Sequence, residues 1–228
     1  MRERGDLQVL HEPFMYHHYL TGTDRLFPDF TPEPGHPKTY EDIRAMILGA
    51  SEGGAVFFKN MAYYVAEVLA QDEAFARAMS HAFLLRDPAE AAVSYARLDA
   101  DFTQLELGHE SQFVLFENLR ALGIEPLVLT ADQLRSDPES TLRRYWSHAG
   151  LGYVAEAFRW DSQVPEGWKS VQGWHQSVLQ SGAIRKASVT DAVTRLEALG
   201  APYTDYVAHH APFYAQMRDI ANRQAHQK

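Results

Sequence analysis

The stretch that decides the fold reads His81-Ala-Phe-Leu-Leu-Arg-Asp-Pro-Ala-Glu-Ala-Ala-Val-Ser-Tyr95. Its apolar run, residues 82–85, has the length and the polar flanks of a buried β-strand. The Asp-Pro pair that follows is typical of a helix start, because the aspartate can cap the helix and a proline at its first position loses no hydrogen bond. The stretch therefore predicts a strand that leads directly into a helix. Arg86 would lie at the carboxyl end of that strand and Ser94 two turns into the helix.

The rest of the chain repeats this order of strands and helices. Further apolar runs predict strands at residues 7–10, 55–58 and 124–130. Helical patterns are found at residues 40–48, 62–69, 72–79, 88–107, 110–122 and 137–150. Strands that alternate with helices predict the α/β class, with a doubly wound parallel sheet and flanking helices.

The length of 228 residues fits one domain with a sizeable core. We expect a single domain over residues 1–228, with its core at about residues 7–153 and an irregular, aromatic and helical region at residues 154–228. Residues 21–38 are rich in Pro, Gly and Asp and predict a long surface loop. No internal repeat or linker interrupts the chain.

The composition excludes several classes of protein. The absence of cysteine rules out disulfides, thiolate catalysis and cysteine–zinc sites, and it fits a cytoplasmic protein. A net charge of −9 argues against a nucleic-acid partner, and no apolar run is long enough to span a membrane. The eleven histidines show no metal-ligand spacing such as His-Glu-x-x-His, so we expect no metal site.

The Arg86–Ser94 element has the chemistry of a phosphate site. In an open α/β sheet, ligands bind at the carboxyl ends of the strands, and a guanidinium with a hydroxyl suits a phosphate monoester. The element resembles the 3′-phosphate-binding motif of the sulfotransferases, with the same residue types at the same spacing. The resemblance implies 3′-phosphoadenosine 5′-phosphosulfate as the sulfuryl donor, held by Arg86 and Ser94 without a metal. The alternative is an ordinary strand–helix junction with a surface arginine.

The resemblance extends in order over about residues 7–153. The segment Val9-Leu-His-Glu-Pro-Phe14 resembles the Glu-Pro strand exit of carbohydrate-type and bacterial sulfotransferases. Residues 131–143 resemble the family's segment after a later strand, and residues 146–152 resemble the end of the helix that follows. The resemblance implies a P-loop-like fold and the transfer of a sulfuryl group to a hydroxyl of a small molecule or a glycan.

Three residues are candidates for the chemistry. Glu12 directly follows the strand at residues 7–10 and is the candidate base, with His11 as the alternative. Lys59 resembles the family's strand-end lysine, which stabilises the transferring sulfuryl group. Met61 stands where that strand end carries a histidine base, which excludes a histidine base there. The alternatives are a glutamate that ends a strand in solvent and a lysine that extends from a strand end to water.

The sequence departs from the family at the 5′-phosphosulfate loop. No Gly-rich or Ser-Thr-rich loop with a lysine or arginine precedes residue 7, and none elsewhere replaces it. Two explanations are open: the true protein carries a further strand and the loop upstream, or the chain has lost them. The second leaves a rival function, a non-catalytic sulfotransferase-fold protein that binds a nucleotide or a partner.

The late aromatic region has a weaker signal. Trp168 and Trp174 either line an acceptor pocket or pack the chain, and we favour packing. Lys186 is a weak counterpart of the family's basic closing loop. Nothing in the sequence identifies the acceptor or the oligomeric state.

Overall fold

The computed structural model of the chain describes residues 1–160, 163–165, 167–168, 171, 174, 180–184 and 191–226. The chain forms two compact units, which we call unit 1 and unit 2. Unit 1 consists of Met1–Val65 with Val154–Arg185, and unit 2 of Ala66–Tyr153 with Lys186–Lys228. Each unit is therefore made of two separate stretches of sequence. The interpretation of residues 1–228 as one domain stays a prediction.

Unit 1 is built on two parallel strands, β1 (Gln8–His11) and β2 (Val56–Lys59). Its helices are α1 (Met15–His17), a π-helical turn at His18–Gly22, α2 (Tyr40–Ser51), and 3-10 helices at Arg2–Arg4, Ala62–Tyr64 and Ala155–Phe158. The strand register pairs His11 with Lys59 at its last position. The residues that follow β1 therefore leave the strand pair at the same end as Lys59.

Helix α2 forms where the sequence provides a cap and one apolar face. The Thr39 hydroxyl accepts a hydrogen bond from the Asp42 backbone N–H at 3.1 Å, which satisfies one free donor of the first turn. Ile43 and Ile47, four residues apart on one face of the helix, are both buried. Gly54 then adopts a φ of 145° between α2 and β2, a conformation that glycine tolerates.

Unit 2 is built on the parallel strands β3 (Ala82–Leu85) and β4 (Leu127–Thr130). Its helices are α3 (Ala66–Leu69), α4 (Glu73–Arg77), α5 (Pro88–Ala96), α6 (Gln104–Leu107), α7 (His109–Ala121), α8 (Ala131–Ser136), α9 (Pro138–His148), α10 (Ala192–Leu199) and α11 (Tyr203–His226). Every residue of β4 is buried, whereas β3 alternates between exposed and buried residues.

The four predicted strands are confirmed, and both strand pairs are parallel. Strands β1 and β2 begin one residue later than expected, and β3 matches. Strand β4 begins three residues late because the Ile124 N–H still bonds to the Leu119 carbonyl at 3.0 Å and so closes the end of α7. The chain is therefore an α/β protein with two pairs of parallel strands among the described residues.

The prediction of one helical region over residues 88–107 is wrong, because α5 ends at Ala96. The Asp99 carboxylate accepts from the Asp101 N–H at 3.0 Å and stabilises a turn instead of a helix. Thr103 then starts α6 with a capping box, in which Glu106 accepts from the Thr103 N–H at 2.7 Å. This break turns Phe102, which is 2% exposed, into the core.

A side-chain amide covers one edge of β4. Gln224 of α11 accepts from the Val128 N–H at 2.7 Å and donates to the Pro126 carbonyl at 3.0 Å. The primary amide thereby takes the place of a neighbouring peptide group, which satisfies backbone groups that an edge strand leaves unpaired.

Helices α5 and α10 pack on each other through a small core. Its buried residues are Ala89, Ala92, Phe102, Leu107, Ala192 and Leu196. The small alanine side chains allow a close approach of the two helices, and this places the solvent-facing sides of α5 and α10 next to each other. None of the described helices has the length and apolarity that a membrane-spanning segment needs.

Candidate functional site

Helices α5 and α10 line an open pocket of about 430 Å³ within unit 2. Both residues of the predicted phosphate element, Arg86 and Ser94, line it. The other lining residues are Glu90, Val93, Ala96, Arg97, Ala192, Arg195, Ala198 and Leu199. The volume lies within the range of small-molecule sites, about 300–1,000 Å³.

The start of α5 is built as the sequence predicts. The Asp87 carboxylate accepts from the backbone N–H groups of Ala89 at 2.9 Å and Glu90 at 3.1 Å, and Pro88 occupies the first position of the helix. These bonds start α5 directly after Arg86 and Asp87, so Ser94 lies about two helical turns beyond Arg86. The cap is thus part of what holds the two residues on one pocket.

A buried histidine holds the backbone of Arg86. The His109 Nε2–H donates to the Arg86 carbonyl at 2.8 Å. Burial lowers the pKa of His109 below its usual value of 6.5, and the bond to the Arg86 carbonyl opposes this shift only in part. Residue 109 is therefore a neutral imidazole at neutral pH, with its proton on Nε2.

The Arg86 guanidinium is only loosely engaged. Its side chain is 46% exposed, and its Nε lies 3.4 Å from the Glu90 carboxylate, a long contact for a hydrogen bond. Arg135 holds the same Glu90 oxygen more tightly, at 3.0 and 3.1 Å from its two terminal nitrogens. In the described part of the chain, no carboxylate contacts the terminal nitrogens of Arg86, which leaves them available to an anionic ligand.

Two further arginines, which the sequence analysis did not identify, also line the pocket. Arg97 lies three residues after Ser94, so helical spacing alone predicts that both lie on one side of the helix and was a usable signal. Arg195 lies about a hundred residues further along the chain, on α10. No local pattern connects Arg195 with the phosphate element, so only the packing of α10 on α5 identifies it.

Glu12 and Lys59, the predicted catalytic residues, are bonded to each other in unit 1. The Lys59 Nζ donates to one oxygen of the Glu12 carboxylate, and the Tyr64 hydroxyl donates to the other at 3.2 Å. Glu12 is 8% exposed, whereas the Lys59 side chain is 53% exposed. Lys59 also contacts the Met61 sulfur at 3.6 Å. A buried carboxylate therefore meets a cation that reaches solvent.

The backbone of Glu12 is in an uncommon conformation. Its φ is 40°, in the left-handed region that few non-glycine residues adopt. The surrounding turn holds it there: the Met15 N–H donates to the Glu12 carbonyl at 2.9 Å, and the Phe14 N–H donates to the Asn60 side chain at 3.2 Å. Such conformations cost about 1–3 kcal/mol and cluster at functional sites. From this turn the Glu12 carboxylate extends to Lys59 and Tyr64.

His11, the alternative base, has different surroundings. Its ring lies 6.1 Å from the ring of Trp168, while the adjacent Glu12 side chain bonds to Lys59 and Tyr64. Burial lowers the pKa of His11 below 6.5, with the charge of Glu12 opposing and that of Lys59 adding to the shift. A neutral imidazole can accept a proton, but the observed contacts join Lys59 to Glu12.

Aromatic side chains surround the Glu12 partner Tyr64. The Tyr64 ring lies 4.7 Å from Tyr63 and 5.8 Å from Tyr19, and the Tyr19 and Tyr63 hydroxyls are 3.1 Å apart.

Trp174 stacks on Phe27 at 4.5 Å, and its Nε1–H donates to the Pro28 carbonyl at 3.0 Å. Trp174 thus packs the chain, as expected.

Two other predictions concern the late region and metals. Lys186 lies outside the described residues. Among the residues that the structure describes, no group of three or more histidine, aspartate or glutamate side chains is arranged to hold a metal ion.

The chain matches a known protein family over almost its whole length. A family model described as a sulfotransferase domain matches residues 1–221. Two relatives from Arabidopsis thaliana, branched-chain-amino-acid aminotransferase-like proteins 2 and 1, are 25% identical over 183 residues and 26% identical over 182 residues. Each match covers 78% of this chain but 32% of the relative, so the chain spans about a third of the length of these relatives. No solved structure gives a significant match.

Proposed function

The chain belongs to the sulfotransferase domain family, and on this premise we propose that it transfers a sulfuryl group from 3′-phosphoadenosine 5′-phosphosulfate to a hydroxyl of a small molecule or a glycan. Membership of the family supports sulfotransfer in general, and the donor and the acceptor are the proposal. The match covers only about a third of each Arabidopsis relative, so their aminotransferase-like names do not support an aminotransferase activity for this chain.

One observation carries the proposal: Arg86 and Ser94 line the same pocket in unit 2. The guanidinium can donate two parallel hydrogen bonds to a phosphate, and the Ser94 hydroxyl can donate a third. In the described part of the chain, the Ser94 hydroxyl has no hydrogen-bond partner. The pocket thus offers donors to the 3′-phosphate that distinguishes the sulfuryl donor from common adenosine nucleotides.

The proposed reaction uses the Glu12–Lys59 pair. The bond between sulfur and the bridging oxygen of the donor breaks, and a new bond forms between sulfur and the acceptor oxygen. The acceptor proton passes to the Glu12 carboxylate, and the Lys59 ammonium stabilises the negative charge on the departing phosphate. The products are the sulfated acceptor and adenosine 3′,5′-bisphosphate. The bond from Tyr64 would keep the carboxylate in place while Lys59 changes partners.

The proposed fold is the P-loop-like, doubly wound α/β fold of the family, and the two parallel strand pairs support it. Residues 1–228 contain no phosphate-loop motif, so no residue is assigned to the 5′-phosphosulfate. Binding through the 3′-phosphate can therefore be tested independently of any contact to the 5′-phosphosulfate.

The decisive experiment is calorimetric titration with adenosine 3′,5′-bisphosphate and with adenosine 5′-monophosphate. We expect the bisphosphate to bind more tightly, and Arg86→Ala to remove most of the difference. Arg223→Ala is the matched control, because Arg223 is an exposed helical arginine that does not line the pocket. An Arg86→Ala protein with wild-type preference for the bisphosphate would overturn the assignment.

Turnover separates the enzyme from its non-catalytic rival. Sulfuryl transfer from radiolabelled donor to a panel of hydroxyl acceptors supports the proposed reaction. If the bisphosphate binds but no acceptor is sulfated, while a family enzyme sulfates the same panel, the chain is a nucleotide-binding protein without transferase activity.

A further inference from the structure

Two of the three arginines in the unit 2 pocket have no carboxylate partner. Within the described ranges, neither Arg97 nor Arg195 forms an ion pair or a side-chain hydrogen bond. The charge of Asp191 reaches Arg195, but the Asp191 carboxylate already accepts from the Thr194 N–H at 3.1 Å. Among the described residues, no protein acceptor therefore competes with a ligand for these two guanidinium groups.

Within the described ranges, Arg144, Arg159 and Arg223 also have no ion pair, but Arg97 and Arg195 line one pocket together with Arg86. The net charge is −9, so carboxylates outnumber cations. Many described arginines are paired with a carboxylate: Arg2, Arg4, Arg77, Arg120, Arg135, Arg143 and Arg218. Three arginines line this pocket, and two of them have no ion pair in the described part of the chain. The pocket is therefore locally positive in a protein of net negative charge, which suits an anionic ligand.

Arg97 is well placed relative to Ser94. Glu90 and Ser94 lie four residues apart on one face of α5, and Arg97, directly after α5, keeps helical backbone angles and continues that face. Along the helix axis, Arg97 lies about 4.5 Å from Ser94, whereas Arg86 precedes Ser94 by about two turns. The guanidinium of Arg97 therefore needs less reach than that of Arg86 to meet an anion at the Ser94 hydroxyl.

Arg195 approaches from the facing helix. It lies on the same face of α10 as Ala192 and Leu199, which also line the pocket. The neighbouring pocket residues are alanines, whose side chains leave room for the arginine to extend. The pocket thus has cationic groups on two opposite walls.

The charge of the pocket fits a phosphate monoester. Three guanidinium groups against the single carboxylate of Glu90 leave two positive charges, and a monoester carries about −1.5 to −2 at pH 7. Glu90 is also the carboxylate that Arg135 holds from outside the pocket, at 3.0 Å. This external pair lessens its repulsion of an incoming anion.

We propose that Arg97 and Arg195 are specificity-determining residues that bind, together with Ser94, the phosphate monoester of the nucleotide. The inference rests on the proposed function and extends it, because it assigns recognition of the monoester to α10 as well as to α5. The ligand class is a nucleotide with a terminal phosphate on its ribose, and the two arginines contact that phosphate from opposite walls.

The test measures the preference of each variant for adenosine 3′,5′-bisphosphate over adenosine 5′-monophosphate. The preference is the dissociation constant of the monophosphate divided by that of the bisphosphate. Because a hydrogen bond to a charged group is worth about 1.5–3 kcal/mol, we expect Arg97→Ala and Arg195→Ala each to lower this ratio by about 10- to 100-fold. Arg97→Lys and Arg195→Lys should recover part of the loss, since lysine keeps the charge but not the bidentate geometry. Arg223→Ala should leave the ratio unchanged.

Failure of this inference can be told from failure of the proposed function. If Arg86→Ala abolishes the preference but Arg97→Ala and Arg195→Ala change it by less than about twofold, only the role of the two arginines is wrong. If the wild type shows no preference for the bisphosphate, the proposed function fails. Titration with inorganic phosphate then tests whether Arg97 and Arg195 form an anion site. Phosphate binding that both variants lose supports the two-walled site, and binding that is absent or insensitive to both overturns it.

Discussion

The Glu12 cluster of unit 1 and the arginine pocket of unit 2 use their charges in opposite ways. Glu12 is buried, and both of its carboxylate oxygens already accept hydrogen bonds, from Lys59 and Tyr64. In the pocket, Arg97 and Arg195 are exposed and have no ion-pair partner among the described residues. The Glu12 carboxylate, which must be oriented, is held by internal hydrogen bonds. The guanidinium groups of Arg97 and Arg195, which must receive a ligand, are exposed to solvent.

The difference agrees with what each kind of site requires. A catalytic group is effective when its geometry is set before the substrate arrives, and backbone strain at Glu12 with a φ of 40° is consistent with such a requirement. A binding site for a free nucleotide needs donors without competing internal acceptors. Each of the following experiments tests one side of this contrast.

The largest effect is expected from Glu12→Gln. The amide keeps the shape of the side chain but cannot take up a proton, so sulfuryl transfer should fall by about 10²- to 10⁴-fold. Steady-state turnover measures the loss, and calorimetry should find the affinity for adenosine 3′,5′-bisphosphate within about twofold of wild type. Undiminished turnover would remove Glu12 as the base.

Arg86→Ala should show the reverse pattern. Loss of one charge-assisted contact should weaken binding of the bisphosphate by about 10- to 100-fold. Because the side chain is 46% exposed and loosely bonded, the free energy of unfolding should change by less than about 0.5 kcal/mol. Urea unfolding checks the second part, and a large loss of stability would show that Arg86 is a structural residue.

Two matched hydroxyl deletions compare the units directly. Tyr64→Phe removes the 3.2 Å bond to the buried Glu12 carboxylate and should lower the free energy of unfolding by about 1–3 kcal/mol. Ser94→Ala removes a hydroxyl that has no partner among the described residues, so its stability should stay at the wild-type value. Equal losses in both variants, measured by urea unfolding, would contradict the contrast between an engaged and an open site.

The smallest effect is expected on the free energy of unfolding when the pH is lowered from 7.5 to 5.5. Burial lowers the pKa of His109 and of His210 below 6.5, so the unfolded chain takes up protons that the folded chain does not as pH falls through 6.5. Their contribution to stability is fully present above pH 6.5 and is lost below it. Urea unfolding at pH 7.5 and at pH 5.5 should give a lower stability at the acidic pH.

His210→Asn provides the comparison for the pH experiment. His210 accepts from the Glu110 N–H at 3.2 Å and donates to the Gln104 carbonyl at 2.7 Å, and asparagine can replace part of this bonding without titrating. The variant should be less stable at pH 7.5 but should lose less between pH 7.5 and 5.5. An unchanged pH slope would show that His210 does not contribute to it.

Local patterns predicted much of the fold. The strand at residues 82–85 and the Asp87 cap follow from residues adjacent in sequence, and both are confirmed. The helix predicted to continue to residue 107 ends at Ala96 instead, because the buried Asp99 and the Thr103–Glu106 capping box stabilise a turn. Helical propensity is a weak preference that a few specific hydrogen bonds override.

The candidate sites divide in the same way. The sequence by itself determined that Arg86 ends a strand and that Ser94 follows on a helix, because neighbouring residues supply the strand run and the helix cap. Only the tertiary structure decided that Arg195 faces Ser94 and that Tyr64 bonds to Glu12. Such contacts join segments far apart in the chain, and they form only when the packing of apolar faces outweighs the entropy of closing the loops between them.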